Sequence, residues 1–534
     1  METRKRESWG SSIGFILAIA GSAVGLGNVW KFPYITGLNG GGAFVLVYLF
    51  CILLVGMPVM LCEIVIGRRT RKNPYGAFKA LQLRRSRFAD TIGGFLLAAA
   101  LLLSCSGSFG FAVIAAIAAV MMLTLGFAAV GLFSLITAML ILSYYSVVGG
   151  WIVEYTVKAF TGELHFNSVE AAGNAFGSFI HSPGRVVLWH LVFFGASALM
   201  VWGGIRNGIE RWSKILMPAL FLLLVALVFR SLTLPGAENG VAFFLTPDFS
   251  KLSTAGALEA LGHSFYTLSL GMGITITYGS YLSRDRNIFS ASLWVIVLDT
   301  GVAILAGLAI FPAVFAMGFD PAAGPSLIFN VLPATFNNFP GGMGWLWAGL
   351  FFLMLTIAAL TSAAALLESG VTFLIDQFHM NRKAAVLLCF VAIGGLGCLA
   401  CVSVGDWNSI PDVQRVLSAI FLPENIALCG SWFDLLDKVT SNWMLPIAGM
   451  LTAIFVGWIW TARKAGRELR RGAGPEVDEN LITSLSGFRG EPLYRTSRNH
   501  GLTVMTLWGL LVRFLAPVVI MFVFLQAIGV NLGF

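Results

Sequence analysis

Apolar residues run along this 534-residue chain in blocks long enough to cross about 30 Å of hydrocarbon, which takes roughly 20 helical residues. The blocks fall near residues 12–36, 43–66, 127–158, 185–204, 211–230, 255–282, 289–317, 344–375, 384–403, 437–460 and 504–530. They predict an all-α polytopic membrane protein with eleven transmembrane helices. Two blocks are interrupted. In the first, Gly21-Ser22-Ala23-Val24-Gly25-Leu26-Gly27-Asn28 separates the apolar run from Ile13 to Ala20 from the aromatic stretch that begins at Val29. In the sixth, Ser264 to Gly273 again places hydroxyls and paired glycines between apolar flanks. Backbone freed from helical bonding cannot face lipid, where every unpaired N–H or C=O is costly, so it must line a cavity inside protein. A helix contact of the small-xxx-small kind also fits Gly21 and Gly25; the second interruption favours broken helices. Breaks five spans apart are the pattern of a five-plus-five inverted repeat, with residues 12–230 and 255–460 as its halves and a site at the bilayer midplane.

Composition agrees. A hydrophobic content of 57%, only 11% charged residues and a mean hydropathy of +0.84 place the chain outside the soluble globular range. A net charge of +8 would suggest nucleic acid in a soluble protein. Here the basic residues collect after alternate blocks, as in Arg68, Arg69, Arg71 and Lys72, then Arg206, Arg284, Arg286, Arg382, Lys383, and finally Arg463 to Arg471. That bias predicts a cytoplasmic N-terminus, an outward C-terminus and no nucleic-acid partner. The seven cysteines show no disulfide or zinc spacing, and the six histidines show no metal-ligand or nucleophile–base spacing, so no enzyme is expected. Arg4 to Arg6 before an apolar run resemble a signal peptide, but no small-residue cleavage site follows.

Residues 93–126 do not fit the count: as one helix they would reach about 51 Å, too long for a single crossing. An extra crossing would invert every later basic loop, so a hairpin-like insertion with both ends cytoplasmic is expected. Residues 462–502 read as a basic cytoplasmic loop ahead of an eleventh helix at 504–530.

The blocks Gly21 to Tyr34, Tyr144-Tyr145, Asn207 to Arg211, Thr267 to Gly273 and Leu360-Thr361-Ser362, in this order, resemble the neurotransmitter:sodium symporters, and among them the bacterial amino-acid transporters with the leucine-transporter fold. The resemblance runs from Trp9 to about Trp460, leaving out the 93–126 insertion and the loop near 404–430. It implies sodium-coupled symport of an amino acid by a multi-pass protein of the bacterial inner membrane, as a monomer or weak homo-oligomer.

Residue by residue, the resemblance implies that Leu26 and Gly27 amides with the Tyr145 hydroxyl meet the substrate carboxylate, and that Ala23, Tyr266, Thr267 and Ser269 face its ammonium. Free amides at a half-helix N-terminus suit an anion physically as well. Ile141, Tyr145, Tyr266, Met272, Ser362 and Leu366 would line the apolar end, which favours hydrophobic L-amino acids. One Na+ site would use Ala23, Asn28, Thr267 and Asp299; a second would use Gly21, Val24, Ala358, Thr361 and Ser362. Sodium takes hard oxygen ligands, although Ser and Thr in a helix also back-bond to the preceding turn. Asp299 stands where many relatives carry a neutral Asn with chloride nearby, and Ala303 follows one turn on. A fixed carboxylate here predicts no chloride requirement. Lys31 and Asp437, with Tyr266, match the outer gate, and Arg6, Asp376, Ser280 and Tyr281 match the inner one. A channel would need a continuous polar path, while a membrane sensor that binds an amino acid without moving it fits the same residues.

Overall fold

The computed structural model describes residues 6–82, 89–94, 96–98, 116, 119–166, 168–322, 327–339, 341–405, 431–472 and 503–527. Nine helices in this set are long and apolar enough to cross a membrane: Gly42–Thr70, Ala128–Thr161, Pro183–Trp202, Ile205–Leu232, Ile288–Ala316, Gly344–Phe378, Arg382–Val404, Trp432–Ile459 and Val504–Gln526. To these is added a bent pair, α1 (Ser12–Ala23) and α2 (Gly27–Leu38), with 48° between its arms. The sixth block forms two shorter helices, α3 (Thr254–Thr267) and α4 (Ile274–Ser280). The insertion expected at 93–126 lies largely outside the described residues.

Local chemistry sets these boundaries. Ser11 caps α1 by accepting the Gly14 N–H, and α1 ends where Val24 turns extended (φ −69°, ψ 104°). Ser253 caps α3 in the same way. After Thr267 the chain passes through Ser269, Gly271 and Gly273, all with positive φ, before helix resumes at Ile274. Three left-handed residues in five cannot continue a right-handed helix, so the break is written in the backbone.

Two helices of the expected spans start earlier than hydropathy suggests: one at Ile205, whose N–H is accepted by Glu7 at 2.7 Å, the other at Trp432, after the Ser431 cap. The start of the expected loop at 462 is a helix, α5 (Ala462–Leu469). Its Glu468 is buried and pairs with Arg68 and Arg69, which fixes it against the end of Gly42–Thr70.

The long helices Ala128–Thr161 and Gly344–Phe378 pack along one another, and α1 lies against Gly344–Phe378, Ile288–Ala316 and Ile205–Leu232. The broken helices are thereby enclosed by protein, as unpaired backbone at membrane depth requires. Apolar side chains such as Leu199 and Leu222, each 72% exposed, form the outward surface instead.

Candidate functional site

The two interruptions touch. The Ser269 hydroxyl donates to the Ser22 carbonyl at 2.8 Å, and a Cβ on Gly27 would lie 3.2 Å from the Tyr266 ring. On the far side of the second break, buried Glu63 accepts the Gly271 N–H at 2.8 Å and the Thr275 hydroxyl. Backbone that would otherwise be orphaned is thus bonded from both sides.

Between the breaks lies a cavity of about 20 Å³, lined by Ser22, Ala23, Gly25, Leu26, Gly27, Ile141, Tyr145, Tyr266, Ser269, Met272, Ile274, Ser362 and Leu366. Ten of the eleven residues expected around a substrate are among them; Thr267 is not, because its hydroxyl turns toward Asp299. The Leu26 N–H points to the Tyr145 hydroxyl oxygen at 3.3 Å, so two groups expected at a carboxylate converge. A side chain at Gly25 would come within 2.5 Å of Ser362 Oγ and 2.9 Å of the Tyr145 hydroxyl. The cavity is only large enough for a water or so. A solute the size of an amino acid enters only when its walls part.

Asp299 is fully buried and joins the helices that flank the breaks. Its carboxylate accepts Asn28 Nδ2 at 2.7 Å and the Thr267 hydroxyl at 3.1 and 3.2 Å, and its carbonyl accepts Asn28 Nδ2 at 3.0 Å. Asn28 Oδ1 accepts the Gly25 N–H at 3.0 Å, which fixes the orientation of the amide. A second cluster of oxygens lies on the other side of the first break. Ser362 Oγ is 3.3, 3.2 and 3.2 Å from the carbonyls of Gly21, Ser22 and Val24. Thr361 Oγ1 donates to the Ala358 carbonyl at 3.0 Å while its Cβ faces Gly21. The donors in both clusters are hard oxygens, the ligand type an alkali cation takes.

The inner-gate residues come together. Arg6 binds Asp376 through both carboxylate oxygens, at 3.0 and 2.8 Å, donates to Ser280 at 2.7 Å, and lies 4.9 Å over the Tyr281 ring. Tyr281 donates to Glu368, which Arg382 also holds at 2.7 Å. The outer pair does not form among the described residues. Asp437 is occupied instead by the hydroxyls of Tyr144 at 3.0 Å and Ser441 at 2.8 Å, and Lys31 sits 4.7 Å over the face of Tyr266. A lysine lacks the planar fork that would bridge both groups. The molecule is latched at its basic end and unlatched at the other.

Sequence reasoning missed Glu63, Ser22 and Glu368. Each is a polar residue inside an apolar block, and that signal alone marks Glu63 and Glu368 as intramembrane carboxylates needing partners. Ser22 acts through its backbone carbonyl, which no side-chain pattern reveals. Tyr48 and His263 form a further buried polar pair, their rings 5.4 Å apart, with the Tyr48 hydroxyl and both His263 nitrogens unpartnered among the described residues.

Two broken membrane helices bonded across a central cavity, with an ion-pair network at one end, define a multi-span transporter rather than an enzyme. The chain belongs to the Sodium:neurotransmitter symporter family, which it matches over residues 6–124 and 173–410, and is a sodium-dependent transporter of that family. It is 35% identical over 534 residues to the sodium-dependent transporter YhdH of Bacillus subtilis, with 99% of each chain covered. It is 29% identical to the sodium-dependent serotonin transporter of Drosophila melanogaster, covering 86% of this chain and 74% of that one. Among solved structures it is similar to MhsT in complex with L-phenylalanine, at 37% identity and a TM-score of 0.74, with 98% of this chain and 100% of that one covered. The leucine-transporter fold expected from the motifs is therefore the fold of this chain.

Proposed function

We propose that this protein carries hydrophobic L-amino acids, aromatic or branched aliphatic, into the cell together with sodium by alternating access. The observation that carries this reading is the asymmetry of the central cavity. Leu26 N–H and the Tyr145 hydroxyl gather at one end, suited to a carboxylate, while Ile141, Met272 and Leu366 line it without any acidic group to meet a cationic side chain. The similarity to MhsT in complex with L-phenylalanine supports it.

Two sodium ions move with each amino acid, one at Ala23, Asn28, Thr267 and Asp299, the other at Gly21, Val24, Ala358, Thr361 and Ser362. Each charge crossing 100 mV contributes about 2.3 kcal/mol, so two ions supply about 4.6 kcal/mol, some three decades of accumulation. The Asp299 carboxylate balances their charge, and no chloride is needed. The two halves, 12–230 and 255–460, are inverted repeats that rock against one another. The basic end, with the N-terminus, faces the cytoplasm of a bacterium and the C-terminus lies outside.

The test is uptake of each of the twenty amino acids into liposomes holding the purified protein, with and without an inward sodium gradient. Sodium-driven uptake of Phe, Trp, Tyr or Leu is expected. Uptake indifferent to the gradient, or competition by small polar amino acids alone, refutes the reading.

A further inference from the structure

A second cavity, outside the central site, lies at the basic end of helix α6 (Ile205–Leu232). It has a volume of about 420 Å³ and is lined by Gly10, Arg206, Glu210, Arg211, Lys214 and Ile215. That volume lies in the range of small-molecule sites. Three cationic side chains thus face one carboxylate.

The carboxylate is already engaged. Glu210 is buried and accepts the Gly10 N–H at 2.7 Å, the Ser11 hydroxyl at 3.0 Å and Lys214 Nζ at 2.6 Å, which ties the start of α1 to α6. The cations are not all engaged. Arg206 donates through Nε and Nη2 to Ser8, at 2.9 and 3.2 Å, leaving Nη1 without a partner among the described residues. The Arg211 side chain has no hydrogen-bond or ion-pair partner among them; only its backbone N–H is bonded, to the Gly208 carbonyl. A concave site whose only acid is saturated and whose arginines retain free donors is built for an anion, and guanidinium forks suit the oxygens of a phosphate.

The rim says which phosphate. Ile215 lines the cavity and is 53% exposed. Leu222 and Phe229 follow it at seven-residue steps on the same face of α6, 72% and 68% exposed, and Trp212, next in the chain to Arg211, is 44% exposed. Fourteen helical residues cover about 21 Å, the depth of an acyl chain's leaflet and more. Trp is at home at the level of lipid headgroups, with cations just outside it. A soluble anion would use the basic cavity and ignore this stripe; a phospholipid uses both.

We infer that the Arg206, Arg211 and Lys214 cavity holds the phosphate headgroup of an anionic phospholipid whose acyl chain lies along Ile215, Leu222 and Phe229. Because Glu210 in its floor anchors Gly10 and Ser11, the bound lipid braces the N-terminal end of α1 just past the inner gate. The inference is independent of which solute is carried.

The test compares purified protein in nanodiscs of phosphatidylcholine with and without phosphatidylglycerol, counting lipids retained after mild detergent treatment by native mass spectrometry. Wild type should keep a phosphatidylglycerol that phosphatidylcholine does not replace, and Arg211→Gln should lower that retention about fivefold, the effect of one cation near a charged membrane surface. The Arg211 side chain has no partner among the described residues to lose, so the variant should fold. Arg463→Gln, an exposed arginine of α5 at the same end, should retain the lipid as wild type does. Equal retention by wild type and Arg211→Gln, or by Arg206→Gln/Arg211→Gln together, overturns the proposal. So does stabilisation of lipid-free protein by inorganic phosphate that Arg211→Gln abolishes, since the site would then serve a free anion.

Discussion

Ser269 donates its hydroxyl to the carbonyl of Ser22 at 2.8 Å, a bond that joins one broken helix to the other across the centre of the protein. Ser269 also holds a left-handed backbone, φ 53°, which costs an L residue about 1–2 kcal/mol. The two effects are separable. Ser269→Ala keeps the strain and removes the bond, while Ser269→Gly removes both. Alanine should therefore lower the melting temperature more than glycine does, with a loss of about 1 kcal/mol for the missing bond. Alanine melting as wild type does would show that the bond contributes nothing, and equal melting of the two variants that the strain contributes nothing.

Asp299 holds Asn28 and Thr267 at once, so exchanging its carboxylate for an amide leaves a single oxygen to accept both bonds and removes the charge that strengthens them. Asp299→Asn should cost about 1–3 kcal/mol of stability. It should also remove a fixed charge, which on the proposed function is the one that balances sodium. Wild-type uptake is expected to be equal in chloride and gluconate, whereas the variant should be slower in gluconate and partly restored by chloride. A wild type that itself requires chloride would rule out the charge-balancing role.

The residues that were legible in the sequence are those whose chemistry conflicts with lipid. Glycines and hydroxyls at 21–28 and 264–273 cannot be explained as lipid-facing helix, and the structure breaks at both places. Asp299 stood out for the same reason. What was not legible depends on approach across the fold. Glu63 and Gly271 are far apart in the chain and meet only after packing, and the Asp437 carboxylate turned out to prefer Tyr144 and Ser441 over Lys31. Hydropathy also placed helix ends poorly at Ile205 and Trp432, because an N-terminus satisfied by Glu7 or capped by Ser431 can begin ahead of the apolar run.

Thr361 offers a clean probe of the second oxygen cluster. Valine matches its shape and keeps the contact of its Cβ with Gly21, so Thr361→Val removes little beyond one hydroxyl. If that oxygen ligates sodium, the sodium concentration giving half-maximal uptake should rise about tenfold, equivalent to about 1.4 kcal/mol. Melting in potassium should barely change. An unchanged sodium dependence would mean that the hydroxyl serves only its bond to the Ala358 carbonyl.

Met272 is where the size of side chain that the central cavity admits can be tested. It lies between Gly271 (φ 76°) and Gly273 (φ 70°), backbone positions that only glycine adopts without strain, and it forms one wall of a cavity of about 20 Å³. An unbranched thioether can swing aside as the walls part; a rigid ring at the same place cannot. Met272→Phe should therefore spare leucine uptake within about threefold while weakening competition by Trp and Phe at least tenfold, a difference of about 1.4 kcal/mol. Competition assays against labelled leucine, in wild type and variant side by side, read this directly. If Trp and Phe compete as well as before, the aromatic side chain is accommodated elsewhere, and Ile141 and Leu366 on the facing helices become the wall that sets size.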